Sequence, residues 1–450
     1  MPRETKNVPR LSHELGSTGL KEQGGYIRED FLLEFVGSRK YKILREMLDN
    51  EPLIAGVDYA IRQLIKQVKW SVKPASESAE DVALAEFVES CLHDMEVSWP
   101  ETLDEILSMI GMGFSVHEIL YKVRVGPQET TGKYRSRYRD GKVGWRKLPI
   151  RAQETIEQWE FDNRGDLLGC VQRTEKNFGD AVTIPYERML LFRTTSYKNN
   201  PEGKSIYRAS YVPYYYKKRI QNIEAIGVER ELHGLPVVEI PAKLMMANAS
   251  AAEKAAYADW KNLVKNVRQD NQAGAVVPSD MDPKTGAKMY DFKLLSATGR
   301  RAIDVEMVLS RLNKEILLPV QADFMLLGHE SVGSYALSSD KTHLFATAVA
   351  GFMGQVLNVF NNTAIPRLLS VNNIYPKELP KLHHGDLETE NAKELADAVA
   401  ALSKAGLNIT GPKMQNQILE RMGFEGMDAN EEIKFVEPQK TQEPKKPSDA

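Results

Sequence analysis

The chain has 450 residues, of which 42% are hydrophobic, so it can bury sizeable cores in roughly two to four domains. Its 59 basic and 62 acidic residues give a net charge of −3, without the basic surplus typical of proteins that hold nucleic acid tightly by its phosphates. Cys91 and Cys170 form no CxxC pair, which argues against a disulfide framework and a zinc site. With no apolar signal-peptide core and no run of about 18 apolar residues, the sequence predicts a protein that is soluble and intracellular when made.

The first half of the chain predicts helices alternating with short strands. Residues 1–25 are polar and without periodicity, which predicts a flexible arm. A helix is predicted over 53–66, where the apolar residues recur on one face, and a short strand over 68–72. A second helix begins after Ser98, a suitable N-cap. Residues 140–195 break apolar runs with turn signals, as in a small β-rich unit.

From Ser205 the pattern becomes helical. The segment Ser205–Leu232 predicts a long helix, and Pro213 either kinks it or marks its true start. A compact insert follows, with strands predicted over 237–240, 275–277 and 290–294 and a helix over 250–267. The chain is helical again over Arg300–Leu318, with four residues predicted to face inward: Ile303, Met307, Leu312 and Ile316.

A Gly- and Ser-rich stretch, residues 328–340, shows neither the helix nor the strand period. So long a segment without secondary structure is uncommon inside a compact domain and is usually functional, although a disordered linker or an enzyme lid would look similar. Apolar residues then recur at spacings of four and three, which predicts a long packed helix; they are Phe345, Val349, Phe352, Val356, Val359 and Thr363. Two shorter helices are predicted over 391–405 and 412–422, and the Pro- and charge-rich residues 437–450 are predicted to be disordered.

Gly203-Lys204-Ser205 resembles the end of a nucleotide-binding P-loop. That motif also needs a glycine five positions before Gly203, where this chain has Lys198. A loop that leads into a helix explains the segment better. The adjacent histidines His383 and His384 lack the carboxylates that would complete a metal site. We therefore predict no catalytic residues, no metal site and no cofactor.

The segment Tyr211–Arg219 combines four tyrosines with two lysines and an arginine. Such a cluster could stack on or contact nucleic acid. Tyrosine is also frequent at protein interfaces, so the favoured interpretation is the start of an amphipathic helix that packs its tyrosines against a neighbouring subunit.

Four segments, in this order and spacing, resemble the portal proteins of tailed bacteriophages, and within them the Mu-like branch. They are Trp70-Ser71-Val72-Lys73-Pro74, Gly113-Phe114-Ser115-Val116-His117-Glu118-Ile119, Gly234-Leu235-Pro236-Val237 and the stretch from Arg300 through Ser338 to Leu369. The resemblance implies an α+β, portal-type fold with a mixed α/β wing, a two-helix stem that brackets a small α/β clip, a long spine helix and a short helical C-terminal region.

On that plan the chain divides into nine parts. They are a flexible arm (1–25), the wing (26–204), stem helix 1 (205–234), the clip (235–297), stem helix 2 (298–327), a tunnel loop (328–341), the spine helix with the return to the wing (342–384), a crown-like helical region (385–436) and a disordered tail (437–450). An insert bracketed by two helices would project from the main body, as a clip must.

The resemblance also implies a function: a ring, commonly a dodecamer, at one capsid vertex, through which double-stranded DNA is packaged and ejected. The expected partners are the terminase large subunit, a head–tail adaptor and the major capsid or scaffold protein, and the expected location is the virion, after assembly in the host cytoplasm. The residues implied to contact DNA in the channel are His329, Glu330, Ser331, Ser334, Tyr335, Ser338, Ser339 and Lys341. A near-neutral charge suits a channel, since strong phosphate contacts would hold DNA that must slide. The alternatives are an enzyme that processes nucleotides or nucleic acid, or another structural component of a phage head.

Overall fold

The computed structural model describes residues 16–175, 179–233, 235–268, 280–281, 286, 288–295, 304–324, 326, 335–385 and 387. The helices are α1 (Arg39–Asn50), α2 (Pro52–Gln67), α3 (Ala79–His93), α4 (Trp99–Ile106), α5 (Ser108–Met112), α6 (Tyr211–His233), α7 (Ala251–Arg268), α8 (Val305–Leu317), α9 (Tyr335–Val359) and α10 (Ile365–Val371). The predicted helix over 53–66 and the helix after Ser98 are therefore confirmed. The predicted strand over 275–277 and the predicted helices over 391–405 and 412–422 lie outside the described residues.

The strands form small antiparallel sheets. They are β1 (Glu22–Gln23), β2 (Tyr26–Ile27), β3 (Trp70–Lys73), β4 (Phe114–Glu118), β5 (Leu120–Val123), β6 (Val143–Lys147), β7 (Ile150–Arg151), β8 (Ile156–Phe161), β9 (Leu167–Arg173), β10 (Ala181–Pro185), β11 (Met189–Arg193), β12 (Leu235–Glu239), β13 (Asp291–Leu295) and β14 (Lys381–His384). Two sheets have three strands, in the orders β10-β9-β8 and β11-β4-β7, and the pairs β1-β2, β12-β13, β14-β3 and β5-β6 complete the described set. The β-rich unit predicted over 140–195 is thus confirmed.

The predicted flexible arm over 1–25 is wrong at its end, because β1 lies inside it. Gly24 and Gly25 both have positive φ, 59° and 84°, and form the tight turn between β1 and β2. The carbonyl oxygen of Gly25 accepts a hydrogen bond from the backbone N–H of Trp159 at 2.9 Å, which ties the hairpin to β8. Because the hairpin is held by this tertiary contact, its polar sequence does not show the alternation of apolar and polar residues that predicts a strand.

The start of α4 follows directly from its sequence. The Ser98 hydroxyl accepts a hydrogen bond from the backbone N–H of Glu101, whose side chain accepts one from the N–H of Ser98 in return. This reciprocal pair satisfies two backbone donors that a helix start leaves open, and Pro100 fits the first turn because it needs no N–H partner there.

One hydrophobic core joins the helices and strands of residues 27–192 with α8, α9 and α10. Phe360, fully buried, lies near its centre. Its ring centroid lies 5.3 Å from that of Trp99 and 5.9 Å from that of Phe192, and Trp145 is 6.0 Å away. Since edge-to-face aromatic contacts are directional as well as apolar, this cluster fixes the long helix against the β-rich unit.

The insert is closed by β12 and β13, which pair antiparallel from Leu235↔Leu295 to Glu239↔Asp291. Helix α6 leads into it, and α7 lies within it, begun by a reciprocal cap between Ser250 and Glu253. Helix α8 follows the insert and packs against α6. Because α6 begins at Tyr211, Pro213 lies in its first turn and marks its start rather than a kink.

The buried stripe of the long helix differs from the predicted heptad. Phe345, Val349 and Val356 are buried as expected, but Met353, Phe360 and Ala364 replace the other three predicted positions. The buried positions depart from the heptad already at Met353, within regular α-helix, because about 3.6 residues per turn exceed the 3.5 of a strict heptad. The π-helical turn Phe360–Ala364, between α9 and α10, adds to this drift, so that Ala364 is buried in place of Thr363.

The segment His343–Val371 is long and apolar enough, by length and composition, to cross a membrane, and 28% of its most apolar stretch is buried. The core helix of a soluble protein passes the same test. Here the buried stripe of this segment belongs to the core described above.

Candidate functional site

The residues predicted to line a DNA channel lie at the start of α9 and before it. His329, Glu330, Ser331 and Ser334 lie outside the described residues. Tyr335, Ser338, Ser339 and Lys341 belong to the first turns of α9 rather than to a loop, so the predicted loop over 328–341 ends earlier than expected. These turns precede the packed stripe and carry no apolar period. Once a helix is nucleated, it extends one hydrogen bond at a time without needing such a period.

The tyrosine–lysine cluster at the start of α6 is mostly used within its own chain. Tyr214 donates a hydrogen bond to Glu46 at 3.3 Å, and the ammonium of Lys217 lies 2.5 Å from a carboxylate oxygen of Glu51. Lys218 also pairs with Glu46. Burial, with the nearby charge of Glu46, raises the pKa of Tyr214 to about 12, so its hydroxyl keeps the proton that it donates. Lys218 is therefore neutralised by Glu46 of α1, and Lys217 by Glu51, the residue that caps α2.

The remaining face of α6 is apolar and exposed. Ile223 and Ile226 are 61% and 47% exposed, and Tyr216 is 52% exposed. No described part of the chain covers these three side chains. Of the four residues predicted to face inward near α8, Leu312 and Ile316 are buried, Met307 is 71% exposed, and Ile303 lies outside the described residues.

A second exposed apolar patch lies beside the start of α6. Phe31 is 86% exposed and Leu33 81% exposed, although both residues are large and hydrophobic. The Arg208 guanidinium lies 5.6 Å from the centre of the Phe31 ring, and the ring of Phe35 meets that of Tyr211 at 4.8 Å. Exposed apolar residues of this size are typical of protein–protein contact surfaces.

The Gly203-Lys204-Ser205 loop does not form a phosphate-binding cradle. The backbone N–H of Lys204 donates to the Thr194 hydroxyl at 3.2 Å, and the Ser205 hydroxyl accepts from the N–H of Tyr207 at 3.1 Å. An added Cβ at Gly203 would lie 2.2 Å from the carbonyl oxygen of Gly113. The glycine thus permits two backbone segments to touch, and the Lys204 N–H and the Ser205 hydroxyl already have partners in the chain.

The two adjacent histidines, His383 and His384, do not form part of a metal site in the described residues. His384 packs its ring against that of Trp70, with the centroids 5.8 Å apart, and its Nδ1 lies 2.7 Å from the carbonyl oxygen of Gly385. Within the described ranges, no group of three or more His, Cys, Asp or Glu side chains is placed to hold a metal ion.

Comparison with known proteins identifies the family. A family model described as the portal protein of Mu bacteriophage matches residues 41–424. A chain from the neck of an empty GTA particle has a similar fold, with a TM-score of 0.50 and 12% identity over 86% of this chain and 94% of that chain.

Two further solved structures are similar at lower scores. A chain from the virion of a native gene transfer agent particle has a TM-score of 0.49 and 12% identity over 86% of this chain and 94% of that one. An HK97 family phage portal protein from Corynebacterium diphtheriae has a TM-score of 0.39 and 9% identity over 76% of this chain and 94% of that one. Since the family match spans most of the sequence, the chain belongs to the family of the Mu bacteriophage portal protein, and its function is that of a phage portal.

Proposed function

We propose that copies of this chain form a ring, commonly a dodecamer, at one capsid vertex, and that double-stranded DNA is packaged and ejected through the ring. The observation that carries this proposal is the uncovered apolar face of α6, together with the exposed Phe31 and Leu33. In a head-to-tail ring every subunit presents the same two surfaces to its neighbours, so one modest apolar face is repeated around the axis. A lone subunit would leave these residues in water.

The insert between α6 and α8 is the proposed docking site for the terminase large subunit and for a head–tail adaptor. Strands β12 and β13 close it next to the bracketing helices, and α7 lies between these two strands along the chain. The wing would contact the major capsid or scaffold protein, after synthesis in the host cytoplasm. ATP hydrolysis would belong to the terminase, since the Gly203 loop offers no phosphate cradle.

Electron microscopy of the purified protein tests the ring directly. We expect negatively stained particles with a central hole. A uniform monomer of 50.7 kDa at micromolar concentration in every salt tested would contradict the proposal.

The channel residues need a separate experiment. Deleting 329–334 removes the part of the predicted loop that precedes α9 and leaves Tyr335 at the helix start. We expect rings to form normally while DNA packaging or retention is impaired. If the ring itself fails to form, these residues have a structural role and the channel assignment is wrong.

A further inference from the structure

A basic and aromatic segment lies in the loop between β5 and β6. Its sequence is Lys133-Tyr134-Arg135-Ser136-Arg137-Tyr138-Arg139, which places four cations within seven residues of a chain whose net charge is −3. In the structure, residues 133–139 form an exposed segment held at one point. Lys133, Arg135, Arg137 and Arg139 are all exposed, as are the two tyrosines, whereas Ser136 is 2% exposed.

The buried side of the segment is held by a desolvated ion pair. Lys122 and Asp94 have side chains that are each 3% exposed, and their charged atoms lie 3.1 Å apart. Asp94 accepts hydrogen bonds from the Ser136 hydroxyl at 2.6 Å and from the backbone N–H of Arg137 at 2.8 Å. Lys122 donates to the carbonyl oxygen of Arg135 at 2.7 Å. Because a buried pair of this kind is costly unless every member is satisfied, its geometry fixes the backbone on which the four cations are carried.

The two tyrosines lie against neighbouring arginines. The Arg124 guanidinium lies 4.0 Å from the centre of the Tyr138 ring and forms an ion pair with Asp140 at 3.2 Å. The Arg146 guanidinium lies 5.6 Å from the centre of the Tyr134 ring. The nearby acid Asp140 is therefore already used by a cation outside the segment.

None of the four exposed cations forms an ion pair with any residue that the structure describes. The cluster at the start of α6 has a similar composition and the opposite arrangement, since Lys217 and Lys218 are both paired with acids. Like charges held close together on a fixed backbone repel one another, so this arrangement favours a polyanionic partner.

A cavity of about 390 Å³ lies at the foot of the segment, and its lining includes Tyr134, Arg146, Glu187 and Arg188. Arg146 forms an ion pair with Glu96 at 3.8 Å, and its Nε is buried. Arg188 is exposed and adds one cation beside the segment, next to the acid Glu187. The positive surface is therefore carried by residues 133–139 and not by the cavity.

We propose that residues 133–139 bind the phosphate backbone of double-stranded DNA without sequence preference, as a second DNA contact outside the predicted channel. Four exposed cations with two adjacent tyrosines supply charge and hydrogen-bond donors to phosphates, and the loop offers no rigid helix or ribbon for reading base edges. The inference goes beyond the portal function and uses none of the residues 329–341.

Filter binding of covalently closed, relaxed circular duplex DNA to the full-length protein tests this contact. A closed circle has no end to thread through a channel, so it reports an outer surface. The variant carries Lys133→Gln, Arg135→Gln, Arg137→Gln and Arg139→Gln. We expect its affinity at low salt to fall about tenfold or more, and the slope of log affinity against log salt concentration to decrease by about 3 to 4 units.

The matched control removes four exposed lysines from the insert: Lys243→Gln, Lys254→Gln, Lys261→Gln and Lys265→Gln. It changes the net charge equally and should keep the wild-type affinity and salt slope. A second variant, with the three arginines of the segment changed to lysine, should retain most of the salt slope because it keeps the charge. Unchanged thermal melting of all variants shows that they are folded.

Three results would overturn the proposal. The glutamine variant could bind circular DNA with the wild-type affinity and slope, or the lysine control could lose as much binding as the variant does. Poly-glutamate could also displace the circle from wild-type protein at a lower concentration of charge than duplex DNA does, which would assign the segment to an acidic protein. Ring formation is read separately by electron microscopy, so a failure of the proposed ring is distinguishable from a failure of this contact.

Discussion

The side-chain amide of Asn361 pairs with the backbone of Leu382 in both directions, as one strand residue pairs with another. Its Nδ2 donates to the Leu382 carbonyl oxygen at 3.1 Å, and its Oδ1 accepts from the Leu382 N–H at 2.7 Å. Asn372 makes the same double contact with Val143, at 2.8 Å and 2.7 Å. The long helix is thus joined to β14 and β6 by two asparagines, each of which satisfies a backbone donor and acceptor on a strand.

Replacing Asn361 with alanine should destabilise the protein by about 2 kcal/mol, because the N–H and carbonyl of Leu382 would lose their partners. The loss should appear as a lower midpoint of urea unfolding. Asn361→Asp should also destabilise, since a carboxylate cannot donate to the carbonyl oxygen. Asn362→Ala is the matched control, because the amide of Asn362 is exposed and reaches Asn358 on the helix surface. Equal midpoints for Asn361→Ala and the control would show that the double contact contributes nothing.

Gly203→Ala should destabilise the protein by about 2 kcal/mol or more. The new Cβ would lie 2.2 Å from the Gly113 carbonyl oxygen, at a residue whose φ is +54°. The comparison is Gly56→Ala, in the exposed face of α2 with nothing within 4 Å, which should stabilise by about 0.5 to 1 kcal/mol. Thermal melting of both variants at one protein concentration checks the opposite signs. A neutral Gly203→Ala would mean that the two backbone segments are not in contact.

Acid should weaken the fold through His117. This histidine is fully buried, and burial lowers its pKa to about 4. Its Nδ1 lies 2.8 Å from the Leu148 carbonyl oxygen and must carry the proton, because a carbonyl only accepts. The unfolded chain binds a proton near pH 6.5 and the folded chain only near pH 4. The contribution of neutral His117 to the free energy of unfolding is therefore fully present above about pH 6.5. It is lost as the pH falls toward 4, by about 3 kcal/mol in all.

The measurement is the urea midpoint as a function of pH between 7 and 4.5. His117→Asn keeps an amide donor but cannot titrate, so its midpoint should vary less with pH than that of the wild type. His93→Asn changes an exposed histidine and should follow the wild-type curve. Parallel curves for all three proteins would rule out His117 as the source.

The apolar face of α6 should be needed for assembly and not for folding. Changing Ile223 and Ile226 to serine removes apolar surface that its own chain does not cover. We expect mass photometry to show a loss of rings in favour of small species, with thermal melting of the subunit retained. The matched control, Leu168→Ser with Val182→Ser, changes residues of β9 and β10 with similar exposure and should still form rings. Rings that survive the α6 changes would place the subunit contact elsewhere.

Elements with local signals were predictable from the sequence. Short stretches of chain predict the cap at Ser98 and the two strands of the insert that the structure describes, and they make Pro213 either a kink or a helix start, of which the structure shows the start. Elements that depend on distant partners were not. The β1–β2 hairpin needs the contact of Gly25 with Trp159, and the outward position of Met307 depends on what packs against α8.

The candidate site shows the same limit. Composition identified the tyrosine–lysine cluster at 211–219, but not that acids far away in the sequence neutralise Lys217 and Lys218. The basic segment at 133–139 stands out in the sequence by its density of arginines, and only the structure shows that its cations are unpaired and its backbone anchored. Charge pairing is a tertiary property, so composition alone cannot separate the two clusters.

The π-helical turn makes the length of the chain, as well as its chemistry, a determinant of direction. Each residue of a helix advances the face by about 100°. A π turn holds about one residue more than an α turn, so Phe360–Ala364 keeps the buried faces on its two sides aligned. Both sides are held by the same core, through Val356 of α9 and Leu368 of α10. Deleting one residue within the π turn and restoring a regular α-helix should therefore leave both faces buried, whereas deleting one residue between Val349 and Val356 would turn one of these side chains out of the core.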